Sequence, residues 1–365
     1  MAKTSLSPSS ERFWKSSAPA SFLNRCSLVD DEDLLAHPDA GGLIFFHTSG
    51  SAGGPKVVAL TREALLASAD GVNAFLGVSA EDRWLRVLPI FHVGGFSIHA
   101  RAWLSQTPLW CDDEKWNPER FASQCHARRI TLTSLVPAQV HDLMTAKLPA
   151  PSSLRAVIVG GSELRPALWH RALELGWPLL TSYGLTEAGS QVATLQPGHD
   201  DPGELSVLDH WEVRLSKRGS LCLKGAALFF CYFVRQDGRW VSQRTGEWFE
   251  TTDRVRLREN GGRRRLRFLG RRDRVIKILG EAVDLDQLEA RLADLATSLN
   301  IMGRARLLSV PDERREHTLV LEYEAGIEGP ALLRAFNDGL PRFAQAQGAR
   351  ETPKIRRSPL GKPMA

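Results

Sequence analysis

No apolar run in the 365-residue chain approaches the roughly 18 residues that a membrane-spanning helix needs. The N-terminal MAKTSLSPSSERFWKSSAPASF has an early lysine but no apolar stretch leading to a cleavage site. Neither membrane insertion nor a secretory signal is therefore expected, and a cytoplasmic setting follows. Cysteine is scarce. Cys26, Cys111, Cys125, Cys222 and Cys231 are odd in number and widely scattered, forming neither a disulfide framework nor a CxxC metal pattern. Cys222 and Cys231, in LCLKGAALFFCYF, are expected to be buried thiols acting as small apolar residues. No HExxH or other close His/Cys grouping suggests zinc, so any metal should be a hard ion held by carboxylate and phosphate oxygens. Walker GxxxxGK[ST] and KxDG nucleotidyl-lysine motifs are both missing, which disfavours a kinase or a nucleic-acid ligase. Zinc-finger spacing and an RNA-recognition motif are also lacking. The formal charge of +5 therefore reads as suiting a polyanionic small substrate, with no nucleic-acid partner expected.

What is present is a globular composition, 43% apolar and 24% charged, in a chain long enough for a large domain and a small one. The first forty residues, rich in Ser, Pro and Asp, read as an irregular lead-in with at most a short helix. Regular patterning starts at GGLIFFHTSGSAGGPKVVAL, which reads as strand, Gly-rich loop, strand. TREALLASADGVNAFLG follows as a helix capped by Thr61. WLRVLP, ITLTSLVP, LRAVIVGG and WPLLTSYG then alternate as strands with the helical FHVGGFSIHARAWL, NPERFASQCHARR, AQVHDLM and ALWHRALELG, the pattern of a layered α/β domain. From about Gly203 the chain becomes strand-rich. RVRLRENGGRRRLRF alternates arginine with apolar residues around Asn260-Gly261-Gly262, as a hairpin with one solvated face would. The helix DLDQLEARLADLATSL, two strands and the helix ALLRAFNDGL suggest a separate small α+β domain. The expected division is residues 1–270 and 271–365.

The sharpest chemical signal is His47-Thr48-Ser49-Gly50-Ser51-Ala52-Gly53-Gly54-Pro55-Lys56. Glycines let a chain curl around an anion, hydroxyls and amides donate to phosphate oxygens, and Lys56 adds charge. TSGSAGGPK resembles the phosphate loop of the adenylate-forming enzymes, a superfamily that includes acyl-CoA synthetases, luciferase and peptide-synthetase adenylation domains. LPIFHVGG, VIVGGSEL, SYGLTE, TTD, FLGRRDRVIKILG and SPLGK resemble its remaining motifs in the same order, from residue 41 to the C-terminus.

The resemblance implies a large layered α/β domain with a strand-rich subdomain, then a small mobile α+β domain. It also implies ATP and Mg2+, with coenzyme A as co-substrate. The loop residues Thr48, Ser49, Gly50, Ser51, Gly53 and Lys56 would hold phosphate, and Tyr183 and Gly184 would lie against adenine. Thr186 would help hold phosphate and Glu187 magnesium. Gly160, Gly161, Ser162 and Glu163 would border the adenine and acyl sites. Asp253 would take the ribose hydroxyls, although the usual TGD reads Thr251-Thr252-Asp253. Arg271 would lie near ribose and phosphate, Asp273 would be the hinge, and Lys277 and Gly280 would face the second half-reaction. His92 would border the acyl pocket and help admit the thiol. In ETPKIRRSPLGKPMA, Lys362 aligns with the catalytic lysine and Lys354 ranks second. A lysine there favours adenylation through its charge.

A narrower resemblance concerns the acid. TSLVPAQVHDLM and LLTSYGLTEAGSQVATL look like the 2-succinylbenzoate:CoA ligases of menaquinone synthesis, with Ser190 and Gln191 beside the acyl pocket. This implies a small aromatic carboxylic acid as substrate and leaves room for a homodimer. The alternatives are another aromatic or short-chain acyl-CoA ligase, or a non-catalytic nucleotide-binding relative. The chain begins closer to the phosphate loop than most of those enzymes do, so part of the usual N-terminal subdomain is expected to be missing.

Overall fold

The computed structural model describes residues 7–22, 31–48, 56–260, 262–279, 281–312 and 314–355. It divides into two compact units. Met1–Ser216, Cys222–Thr251 and Arg256–Arg267 form the larger, and Lys217–Leu221, Thr252–Val255 and Phe268–Ala365 the smaller.

The larger unit begins with α1 (Glu11–Trp14), β1 (Ala20–Phe22), α2 (Asp31–Leu35), β2 (Leu43–Thr48), β3 (Lys56–Thr61) and α3 (Arg62–Leu76). β4 (Trp84–Arg86), α4 (Val93–Ser105), β5 (Leu109–Cys111), α5 (Pro118–Arg128), β6 (Leu132–Leu135), α6 (Pro137–Thr145), β7 (Ala156–Val159), α7 (Pro166–Glu174) and β8 (Leu179–Leu185) follow. Then come β9 (Ser190–Thr194), β10 (Leu205–Val207), β11 (Glu212–Leu215), β12 (Ser220–Lys224), β13 (Cys231–Gln236), β14 (Arg239–Arg244), β15 (Phe249–Asn260) and β16 (Arg263–Arg271), of which β12, β15 and β16 are divided between the two units.

One sheet runs β1-β2-β3-β13-β14. Successive side chains of β2 and β3 point to opposite faces. Ile44, Phe46, Val58 and Leu60 enter one core with Phe13, Trp14 and Phe96, while Phe45, Val57 and Ala59 enter another with Cys231 and Phe233. Burial on both faces explains why both strands read as continuous apolar runs. A second sheet contains β5, β4, β6, β7 and β8 in parallel, with α4 to α7 lying between those strands in sequence as the βα alternation requires. β9 then reverses direction against β8, and β10 against β9.

The lead-in is less irregular than expected. β1 pairs in parallel with β2, and Phe13 and Trp14 are buried. The cause is a distant side chain. Arg62, itself buried, donates from Nε to the Phe13 carbonyl at 2.7 Å, from Nη1 to Gly42 at 2.9 Å and from Nη2 to Ala18 at 2.9 Å. Three carbonyls thus satisfy a guanidinium whose proton affinity burial lowers. Cys222 and Cys231 are both buried, as expected of small apolar side chains.

In the smaller unit β17 (Val275–Ile278) and β18 (Glu281–Asp284) pair antiparallel and lead into α8 (Leu285–Ser298). β19 (Ala305–Asp312) and β20 (Glu316–Glu324) are antiparallel, and β21 (Gly348–Thr352) joins β20 in parallel after α9 (Gly329–Asn337). Leu288 and Leu292 of α8, Leu307, Leu319 and Leu321 of the sheet, and Leu332 and Phe336 of α9 close one core. Among the described residues no helix is long and apolar enough to cross a membrane.

Candidate functional site

In the larger unit, β2 and β3 set Thr48 opposite Lys56 at the mouth of the Gly-rich hairpin. Ser49, Gly50, Ser51 and Gly53 lie outside the described residues. β13 lies beside β3 with Tyr232 opposite Val58. From there the Lys56 ammonium sits 5.5 Å from the Tyr232 ring centroid, and the Tyr232 hydroxyl donates to Glu187 Oε1 at 2.7 Å. Burial first, and then the charge and hydrogen bond of Glu187, hold the Tyr232 phenol above its ordinary titration range, so the hydroxyl stays a donor. Glu187 and Thr186 occupy a single 3-10 turn after β8. The backbone of this turn is also tied down, because the Phe229 amide donates to the Glu187 carbonyl at 2.8 Å.

The turn depends on Gly184. β8 and β9 shift register between Tyr183 and Gly184, bringing Gly184 opposite Gln191. A Cβ on Gly184 would fall 1.9 Å from the Ser190 carbonyl oxygen, so only glycine allows the close approach. Tyr183 stays half-buried, opposite Ala193. Gly160 to Glu163 leave the C-terminal end of β7, and Gly161, Ser162 and Glu163 are exposed, as suits a loop that meets a ligand beyond the strand ends.

His92 is the N-cap residue of α4. A Cβ on Gly95 would meet the Pro89 carbonyl oxygen at 2.3 Å, which is why FHVGG needs a glycine there. One turn further along α4, Ser97 Oγ donates to Ser190 Oγ at 3.3 Å, and Arg101 Nη2 donates to the same Ser190 oxygen at 3.1 Å. Arg101 is only 1% exposed. Its Nε and Nη1 find no hydrogen-bond partner among the described residues, although the Trp84 ring lies under the guanidinium at 5.8 Å. Burial lowers its pKa to about 9, which leaves it charged at neutral pH. Gln191, next to Ser190 in β9, accepts on Oε1 from Thr194 Oγ1 at 2.5 Å.

Three of the predicted residues of the smaller unit, Asp253, Arg271 and Asp273, lie together. Arg271 Nη2 donates to Asp273 at 2.6 Å, and its Nε lies 3.8 Å from Asp253 and donates to Thr252 Oγ1 at 3.3 Å. Lys277 points from β17 into solvent. Gly280 and Lys362 lie outside the described residues, and Lys354 is exposed.

The motifs did not point to Arg101, Ser97 or Tyr232. A signal for the first two does exist in FSIHARAWL, where a serine and an arginine stand four apart, on one face of a largely apolar helix. Nothing local marks Tyr232. It reaches Glu187 only through the pairing of β13 with β3.

A parallel α/β sheet with its glycine loops at the strand ends, joined to an apolar-cored hairpin, defines the adenylate-forming fold. The AMP-binding enzyme profile matches residues 13–233, more than half of the chain, and the chain belongs to that family. A 2-succinylbenzoate–CoA ligase from Bacillus velezensis is 29% identical over 276 residues, covering 72% of this chain and 55% of the ligase. One from Escherichia coli is 32% identical over 300 residues, covering 82% and 62%. The o-succinylbenzoate CoA synthetase of Bacillus subtilis, solved with its acyl-adenylate intermediate, superposes with a TM-score of 0.74 at 22% identity, over 88% of this chain and 67% of that one. The chain thus spans between 55% and 62% of the length of these two curated relatives.

Proposed function

We propose that this chain carries an ATP-dependent acid–thiol ligase activity, acting in the cytoplasm on 2-succinylbenzoate. In the first step the substrate carboxylate attacks the α-phosphorus of ATP and pyrophosphate leaves. In the second the coenzyme A thiol attacks the adenylate carbonyl, giving 2-succinylbenzoyl-CoA and AMP.

The observation that carries the substrate class is Arg101. A buried guanidinium with two nitrogens unbonded among the described residues is costly unless an anion completes its hydrogen bonds. The proposed acid is a dicarboxylate, so one carboxylate can be activated while the other is held by Arg101 with Ser97 and Ser190. A monocarboxylic fatty acid would leave that charge uncompensated. The names of the relatives agree with this choice.

The remaining roles follow the same reading. Thr48 to Lys56 and Thr186 would cradle phosphate. Mg2+ would be held by Glu187 together with phosphate oxygens, a donor set that suits an ion bound through one carboxylate and its substrate; when bound it offsets the charge of the triphosphate. Tyr183, with Gly160 to Glu163, would flank adenine. Asp253 and Arg271 would serve the ribose and phosphate, Asp273 the hinge, and Lys277 the second half-reaction. Lys362 would stabilise the developing charge at the α-phosphate. His92 would border the acyl group.

The test is mass detection of AMP and acyl-CoA after incubation with ATP, Mg2+, coenzyme A and a panel of acids. The panel includes 2-succinylbenzoate and the keto acid that lacks its ring carboxylate. Preference for the dicarboxylate is expected; turnover of unrelated acids with equal efficiency would refute the substrate assignment.

A further inference from the structure

Glu187 is the carboxylate assigned above to the metal that accompanies ATP, and the inference here rests on that reading. A carboxylate has two oxygens and free rotation about its last bond, so a lone glutamate on a short turn is a loosely aimed ligand. Glu187 is not loosely held. Its carbonyl accepts from the Phe229 amide at 2.8 Å, and its Oε1 accepts from the Tyr232 hydroxyl at 2.7 Å. Both donors come from one short stretch, residues 229–232, whose end is locked into the sheet beside β3. The Tyr232 ring is itself fixed by Phe229, at a centroid distance of 4.6 Å, and by Phe249 at 6.4 Å. The Lys56 ammonium, at the foot of the Gly-rich hairpin, lies 5.5 Å from the same ring.

We propose that Tyr232 is a positioning residue for the metal step: its hydroxyl holds Oε1 of Glu187 and so fixes the carboxylate that would bind the cation accompanying the ATP phosphates. A phenol suits the task. As a neutral donor it leaves the negative charge on Glu187, whereas a lysine or arginine in its place would compete with the metal for that charge. It also ties the aim of the carboxylate to the strand pair that carries the phosphate loop. A partner of this kind typically contributes about tenfold or more to metal affinity.

The test uses Tyr232→Phe, which keeps the packed ring and deletes only the donor, beside Glu187→Gln. Mn2+ binding in the presence of ATP, without any acid, is followed by electron paramagnetic resonance, and turnover is followed across a Mg2+ titration. For Tyr232→Phe the expected results are Mn2+ binding weakened about tenfold and a matching rise in the Mg2+ needed for half-maximal rate. Its rate at saturating Mg2+ should stay close to that of the wild type. Adding Tyr232→Phe to Glu187→Gln should weaken Mn2+ binding no further, because the hydroxyl acts through that carboxylate. If Glu187→Gln weakens Mn2+ binding but Tyr232→Phe binds as the wild type does, the positioning role is overturned while the reading of Glu187 stands. Should Tyr232→Phe merely lower the melting temperature, its role is packing and the proposal fails. If Glu187→Gln itself binds Mn2+ normally, the metal assignment falls and the proposal with it.

Discussion

At the scale of single residues, the role proposed for Arg101 sets function against stability. Arg101 is 1% exposed, and among the described residues its guanidinium bonds one hydroxyl and two of its nitrogens have no hydrogen-bond partner. Each unmet buried donor costs about 1–3 kcal/mol. Arg101→Met should therefore leave the melting temperature unchanged or raise it, since Ser97 and Ser190 can still bond each other. The same change should raise KM for 2-succinylbenzoate about thirtyfold, the equivalent of roughly 2 kcal/mol for a lost hydrogen bond to a charge. KM for the acid lacking the ring carboxylate should barely move. Steady-state kinetics on the two acids, with thermal melts, check both halves. Lys362 allows a second comparison: Lys362→Ala should suppress adenylate formation while largely sparing ATP binding, and Lys354→Ala should leave both near wild type. The reverse pattern, measured by pyrophosphate release and ATP titration, would move the catalytic role to Lys354. The sequence pointed to Glu187 and Ser190 through their motifs. Arg101 and Tyr232 escaped because neither lies within a motif and each acquires its meaning from a partner far along the chain.

Among elements, β4, β6 and β7 are tied together at their N-terminal ends by one buried carboxylate. Asp82 accepts from Arg155 Nε and Nη2, both at 2.7 Å, from Thr131 Oγ1 at 2.7 Å and from the Ser79 amide at 2.9 Å. Burial alone would raise its pKa, but Arg155, Ser79 and Thr131 together outweigh that and hold it below the ordinary aspartate value. The unfolded chain thus binds this proton more readily than the folded one. The associated stability is fully present above the unfolded value of about 3.9 and is lost as pH falls through the lower folded value. Asp82→Asn should cost about 2 kcal/mol at neutral pH, moderated because Arg155 is partly exposed. The penalty should shrink on acidification below about pH 4; urea unfolding at several pH values measures it. The strands themselves were legible from short apolar runs, and the helices from 3.6-residue spacing and caps such as Thr61, whose hydroxyl accepts from the Ala64 amide at 3.0 Å. β1 was not legible, because three residues carry too little periodicity; its place is set by pairing with β2 and by Arg62.

Among the described residues, each of the two units closes apolar cores of its own. The core of the smaller unit, around Leu292, Leu321 and Phe336, is drawn from α8, α9 and the three strands β19 to β21. A fragment of residues 268–365 is therefore expected to unfold cooperatively by itself. Within it Leu321→Ala, at a fully buried site, should cost about 2–5 kcal/mol and abolish the transition; circular dichroism melts test both. Composition and apolar periodicity were enough to indicate a layered α/β chain, and the resemblance of its ordered motifs pointed to the adenylate-forming family. Those signals pass between residues only a few positions apart and survive in a linear reading. Folding alone decided which side chains meet across long stretches of chain: Tyr232 and Glu187 are separated by 45 positions, Arg101 and Ser190 by 89. Strand pairing and helix packing, which no local pattern encodes, bring the Tyr232 hydroxyl to the Glu187 carboxylate and enclose the Arg101 guanidinium beside Ser190.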